Sequence, residues 1–182
     1  GTEDILWAVW GADANNVWAG GTYDIFKWNG NVWSKQTSEM TNALYDVWGA
    51  DARNVWAVGS GRFDRMAQST KNTILKWNGN KWSAETLDTH FGLQAVWGTN
   101  ANNVWAVGGG CLNPLYCTGA ILKWNGSVWS TQDSGITTTL NGVWGTDSAN
   151  IWTVGDAGII LKANGSVWGA QTSGTSNTLN YV

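Results

Sequence analysis

The sequence predicts an all-β fold assembled from repeated four-stranded antiparallel sheets. Three observations carry that reading: a tryptophan-marked repeat, turn residues at fixed offsets inside each repeat, and no apolar stripe of helical period. The chain of 182 residues holds 16 tryptophans, 24 glycines and one proline. Val-Trp-Gly stands at Val9-Trp10-Gly11, Val47-Trp48-Gly49, Val96-Trp97-Gly98 and Val143-Trp144-Gly145. Another tryptophan follows each of these by eight residues, at Trp18, Trp56, Trp105 and Trp152. Lys-Trp-Asn-Gly then marks Lys27 to Gly30, Lys76 to Gly79 and Lys123 to Gly126, with Lys162-Ala163-Asn164-Gly165 in the fourth unit. Five residues past that mark come Trp33, Trp82, Trp129 and Trp168, so with Trp7 the scheme places every tryptophan.

Each mark corresponds to a strand. In the second unit, strand A runs from Leu44 to Trp48, strand B from Val55 to Val58 and strand C from Ile74 to Trp77, and strand D starts near Trp82. Between A and B, the stretch Gly49 to Asn54 is a tight turn. Asp13, Asp51 and Asp147, with Asn100 in the third unit, recur there and read as side-chain caps of the turn backbone. Between C and D, Asn-Gly is a strong hairpin signal and predicts a type I′ turn with positive φ at both central residues. Four short antiparallel strands in units of 38 to 49 residues describe a β-propeller blade. The blades fall at about 5–42, 43–91, 92–138 and 139–177, and 178–182 begins a further one.

One spacing varies. From the strand B tryptophan to the strand C mark the gaps are 10, 21, 19 and 11 residues, which puts insertions in the B–C loops of blades 2 and 3. Length variation on one face of a fixed scaffold is where recognition is commonly built. The loop residues Arg62, Phe63, Asp64 and Arg65, facing Asn113 and Tyr116 of the next blade, form a candidate interaction patch. Gly1 to Leu6 aligns with Gly174 to Leu179, so an open ring is expected. The remainder of a longer chain or a second copy in a homodimer would complete it, and these readings are preferred over a closed four-blade ring with a redundant tail because an open blade edge exposes unpaired backbone.

Composition narrows the partners. Charged residues are 13% of the chain and the net charge is −3, which points away from nucleic acid and anionic membrane surfaces. Apolar runs such as Ile5 to Trp10 are strand-sized and far too short for membrane insertion, and no basic segment leads into a signal-peptide-like stretch.

The order Leu-x-x-Val-Trp-Gly, Val-Trp-Ala-Val-Gly, Ile-Leu-Lys-Trp-Asn-Gly-x-x-Trp resembles the Asp-box or BNR-type repeats of bacterial extracellular propellers. It is similar, more loosely, to tectonin-type lectin repeats. The resemblance spans nearly the whole chain and implies a propeller. The Asp-box pattern Ser-x-Asp-x-Gly-x-Thr-Trp survives in Leu75 to Trp82 only at Gly79 and Trp82. Asp-box sialidases require an arginine triad with Tyr and acidic partners, whereas the arginines here are Arg53, Arg62 and Arg65, two of them in one loop. Sialidase activity is not expected.

Cys111 and Cys117 are read as a disulfide inside the third blade's insertion, which implies an extracellular, cell-surface or periplasmic setting. Two cysteines and the single His90 do not make a zinc site, and one Asp per turn does not make a calcium site. Neither metal nor cofactor is expected, and no nucleophile–base set marks an enzyme. Most of the tryptophans read as packing between blades. Where a ring is exposed in a cleft it can stack on a sugar, with Trp28, Trp77, Trp124 and Tyr23 as the candidates. The expected function is a non-catalytic recognition module, with a glycan as first ligand and protein–protein interaction through the B–C loops as the alternative.

Overall fold

A computed structural model describes residues 4–38, 42–64, 69–85, 87, 91–113, 116–165 and 167–182, without the side chains of 62–64, 69–71, 112–113 and 116. The chain forms four four-stranded antiparallel sheets, each in sequence order. Blade 1 holds β1 (Leu6–Asp13), β2 (Asn16–Gly21), β3 (Ile25–Trp28) and β4 (Trp33–Gln36). Blade 2 holds β5 (Ala43–Asp51), β6 (Asn54–Asp64), β7 (Ser69–Trp77) and β8 (Trp82–Ala84). Blade 3 holds β9 (Gly92–Asn100), β10 (Asn103–Asn113), β11 (Tyr116–Trp124) and β12 (Trp129–Gln132). Blade 4 holds β13 (Leu140–Asp147), β14 (Asn150–Gly155), β15 (Ile160–Asn164) and β16 (Val167–Gln171). The first strands of successive blades lie side by side, β1 with β5, β5 with β9 and β9 with β13, which is the arrangement of a β-propeller.

The cores lie between blades rather than within them. Trp18 and Ile25 of blade 1 pack against Leu44, Val47, Val55, Leu75 and Trp77 of blade 2. Trp56, Val58 and Ile74 of blade 2 pack in the same way on blade 3, and Trp105, Val107 and Ile121 of blade 3 on blade 4. Strand alternation alone would send Leu44 and Val47, three residues apart, to opposite faces. A register shift between Leu44 and Asp46 returns both to one face. Trp18 and Trp56 are wholly buried, and their indole Nε1 groups have no protein acceptor among the described residues. An unmade bond of this kind costs about 1–3 kcal/mol, whereas burying about 150–250 Å² of indole returns about 4–6 kcal/mol, so packing prevails.

Two local expectations change. The C–D hairpins of blades 1 to 3 are not type I′ turns: the glycines Gly30, Gly79 and Gly126 have φ of 92°, 94° and 99°, but the asparagines before them do not have positive φ. Each Asn side chain instead caps a four-residue loop. Asn29 Oδ1 accepts from the N–H groups of Asn31 and Val32, both at 3.0 Å, and Asn78 and Asn125 repeat the pattern. Second, the described residues of the insertions of blades 2 and 3 extend strands. Phe63 pairs with Thr70 and Asp64 with Ser69 in β6–β7, and Asn113 pairs with Tyr116 in β10–β11. Cross-strand backbone pairing claims the inserted residues, and in the third blade Cys111 faces Cys117 and bonds to it.

The A–B turns match the capping expectation. Asp13, Asp51 and Asp147 each accept from the backbone N–H two residues on and from the Asn side chain three residues on. Asn100 takes the same place in blade 3. These bonds hold the Asp13 carboxyl below its ordinary pKa, chiefly through the Asn15 N–H, and that of Asp147 chiefly through the Asn150 side chain.

A candidate recognition cavity along the propeller axis

The register shift that rescues the leucine has a second consequence. A bulge leaves one residue outside the ladder and re-aims its side chain. In the four first strands the extra residue is Trp7, Tyr45, Gln94 and Asn141. All four line one cavity of about 620 Å³, joined by Asp46 and by Asn180 to Val182. One side of the wall is aromatic and the other carries amides. Trp7 is 56% exposed and meets the edge of Tyr45, with ring centroids 6.4 Å apart and planes at 87°. The Trp7 Nε1–H donates to Thr22 Oγ1 at 3.4 Å. Asn141 Nδ2 donates to Asp156 Oδ1 at 3.0 Å and to the Leu179 carbonyl at 3.2 Å, so that amide is held in place.

Tyr45 is the hub of a wider surface. It also lines a hollow of about 540 Å³ with Thr22, Tyr23, Asn42 and Ser60, and a smaller one with Phe91, Gln94 and Cys111. Tyr45 thus lines all three spaces.

Asp46 sits in the cavity wall and ties two blades. Its Oδ1 accepts from its neighbour Val47 N–H at 2.8 Å, and its Oδ2 from Val96 N–H of blade 3 at 2.9 Å. Burial pushes its pKa up from about 3.8 to about 6, against the lowering effect of the two N–H donors. At the matching position blades 1, 3 and 4 carry Ala8, Ala95 and Gly142, so this titrating group belongs to one seam only.

The residues nominated from sequence are only partly gathered here. Tyr23 is 67% exposed and lines the hollow beside Tyr45. Trp77 and Trp124 are buried between blades at 5% and 3% exposure, and no ring face is left for a sugar. Trp28 keeps partial exposure because blade 1 has no blade on that side, and its Nε1–H donates to the Ala14 carbonyl at the far end of the strands. Arg65 and His90 lie outside the described residues, as do the side chains of Arg62, Phe63, Asp64, Asn113 and Tyr116. Among the described residues no three His, Cys, Asp or Glu side chains gather as a metal site.

Sequence reasoning missed Trp7, Tyr45, Gln94 and Asn141. A signal was present: in Leu-x-x-Val-Trp-Gly the first x changes chemistry from unit to unit while the Leu before it and the Val-Trp-Gly beyond the second x stay fixed. Uniform flanks serve packing, and a free position between them marks a surface that packing does not dictate.

No protein-family model and no curated protein matches the chain. Among solved structures it is similar to YCF48 bound to D1 peptide, at TM-score 0.63 and 13% identity over 94% of this chain. It spans about half of that structure's length, 54%. A second structure, YCF48 from Cyanidioschyzon merolae, aligns at TM-score 0.41 and 11% identity over 98% of this chain and 89% of its own. The first likeness supports the propeller fold.

Proposed function

We propose that this propeller is a non-catalytic recognition module that binds a segment of polypeptide at the mouth of its axial cavity, in an extracellular or periplasmic setting. The carrying observation is the convergence of four bulge residues, Trp7, Tyr45, Gln94 and Asn141, on one cavity. Aromatic rings supply contact area at little entropic cost, and the Gln94 amide offers a donor and an acceptor, and Asn141 its Oδ1 acceptor, to a peptide backbone. The cross-strand disulfide supports the oxidising compartment. The similar YCF48 propeller is bound to a peptide, which supports a protein rather than a sugar as ligand class here. Burial of Trp77 and Trp124 points the same way.

The test is selection of displayed random peptides on the intact chain, followed by fluorescence titration, with a glycan array run in parallel. Selected peptides should bind the wild type. Tyr45→Ala should weaken them about 30-fold, the effect of losing a hot-spot anchor of about 2 kcal/mol. Trp7→Ala should act in the same direction, and neither substitution should abolish the cooperative unfolding transition. Sugar binding without peptide binding, or peptides indifferent to both substitutions, would sink the proposal.

A further inference from the structure

Two interlocking pairs recur at the seams, the first at all three and the second at the two that join blades 1 to 3. In the first, the tryptophan of one Val-Trp-Gly lies on the glycine of the next. A Cβ on Gly49 would stand 2.5 Å from Trp10, one on Gly98 2.8 Å from Trp48, and one on Gly145 2.9 Å from Trp97. In the second, a strand C lysine bridges two rings across the seam. Lys27 Nζ lies 5.2 Å from the Trp18 centroid and 5.3 Å from Trp77 of the next blade. Lys76 lies 5.4 Å from Trp56 and 4.3 Å from Trp124. Where blade 4 carries Ala163 in place of the second ring, Lys123 keeps only Trp105.

The outward faces of the first and last blades carry the separated halves of both pairs. On blade 1, the atoms nearest a Cβ on Gly11 belong to Val17 and Asn16 of its own blade, and Trp28 has the place of Trp77 and Trp124 with no lysine over its ring among the described residues. On blade 4, Trp144 is 44% exposed, and Lys162 lies over Trp152 of its own blade at 4.8 Å. The apolar residues of the blade 1 face are equally uncovered: Val9 is 69% exposed, whereas Val47 and Val96 at its position are each 3% exposed.

We infer that blade 4 of one copy of this chain seats on blade 1 of a second copy through Trp144 on Gly11 and Lys162 on Trp28, continuing the internal seam. The contact is heterologous, and two copies close it into a ring with two identical seams and four blades from each chain. That blade number lies at the top of the range of about four to eight typical of propellers. Leu179 to Val182 crosses the inner end of the blade 4 face, with the Leu179 N–H donating to the Gly155 carbonyl at 3.0 Å. Its Leu-x-x-Val spacing is that of Leu6 to Val9, so the arriving β1 must take its place. Association therefore competes with this segment. The seam borders the proposed peptide site, since Val9 and Asn180 to Val182 also line the axial cavity, but its two contacts, Trp144 on Gly11 and Lys162 on Trp28, lie outside that lining.

The experiment is sedimentation equilibrium of the full chain from micromolar to submillimolar concentration. Wild type should approach twice the chain mass, and Leu179→Asp, which unseats the competing segment, should do so at lower concentration. Val9→Glu blocks the blade 1 face and Trp144→Glu the blade 4 face, so each alone should stay monomeric while their mixture forms one-to-one dimers. Leu6→Glu with Lys162→Glu repeats the test should either first variant lose its native tryptophan emission. Dimers that persist in both blocked variants, or a mixture that stays monomeric, overturn the inference. So does a wild type and Leu179→Asp pair that never leaves the monomer mass, which would leave these faces to further blades of one polypeptide.

Discussion

Asp46→Asn tests the seam that holds a buried carboxyl between blades 2 and 3. The folded chain holds the Asp46 proton up to about pH 6, whereas an unfolded chain releases it near 3.8. Between those values the folded state binds more protons, so this group's contribution to stability falls as pH rises and is fully lost above pH 6. Integrating the linkage gives a penalty of about 0.5 kcal/mol at pH 4 and at most about 3 kcal/mol at pH 7. Asparagine removes that penalty but keeps only one oxygen. Its NH₂ group then faces the N–H of either Val96 or Val47, a pH-independent cost of about 1.5 kcal/mol. The variant should thus be less stable than wild type at pH 4 and more stable at pH 7, with the curves crossing near about pH 5. Urea unfolding followed by tryptophan emission at half-unit pH steps measures both chains under identical conditions, so titrations elsewhere cancel in the difference. A difference that stays flat from pH 4 to 7, or slopes the other way, refutes the placement of Asp46 against Val96.

Three further outcomes follow from the packing. Gly98→Ala puts a methyl 2.6 Å from the Asn103 carbonyl and 2.8 Å from the Trp48 ring, and should cost about 1–3 kcal/mol in chemical denaturation, while Gly169→Ala, whose methyl would meet the Lys162 carbonyl at an ordinary 4.0 Å, should change stability by less than about 0.5 kcal/mol. Reducing the Cys111–Cys117 bond should lower stability by about 2 kcal/mol on the chain-entropy account, read as a shift in urea midpoint with and without reductant. Asn125→Ala removes the acceptor for two exposed backbone N–H groups and should cost about 1 kcal/mol in thermal unfolding, with native tryptophan emission retained.

The blade repeat was legible because both of its periods are local. Side-chain direction alternates along a strand, and a turn needs particular residues at particular offsets, so spacing between tryptophans reports spacing between strands. The glycine of Val-Trp-Gly could be located in the same way but not explained. Its reason is the tryptophan of the preceding blade, more than thirty residues away in the chain, which occupies the space of a Cβ. The sugar-stacking expectation for Trp77 and Trp124 failed for the same reason: a ring's exposure depends on whether another blade covers it. Trp28 and Trp77 have nearly the same local sequence and quite different burial.

By itself the sequence determined the strands, their order within each sheet, the A–B caps and the pairing of the two cysteines, because each is set by neighbours within one hairpin. Only the tertiary structure decided that the inserted residues extend strands, that the Asn-Gly loops are capped by side chains, and that Trp7, Tyr45, Gln94 and Asn141 share a cavity. A bulge is invisible until two strands are laid in register, and four bulges meet only when the blades turn about a common axis.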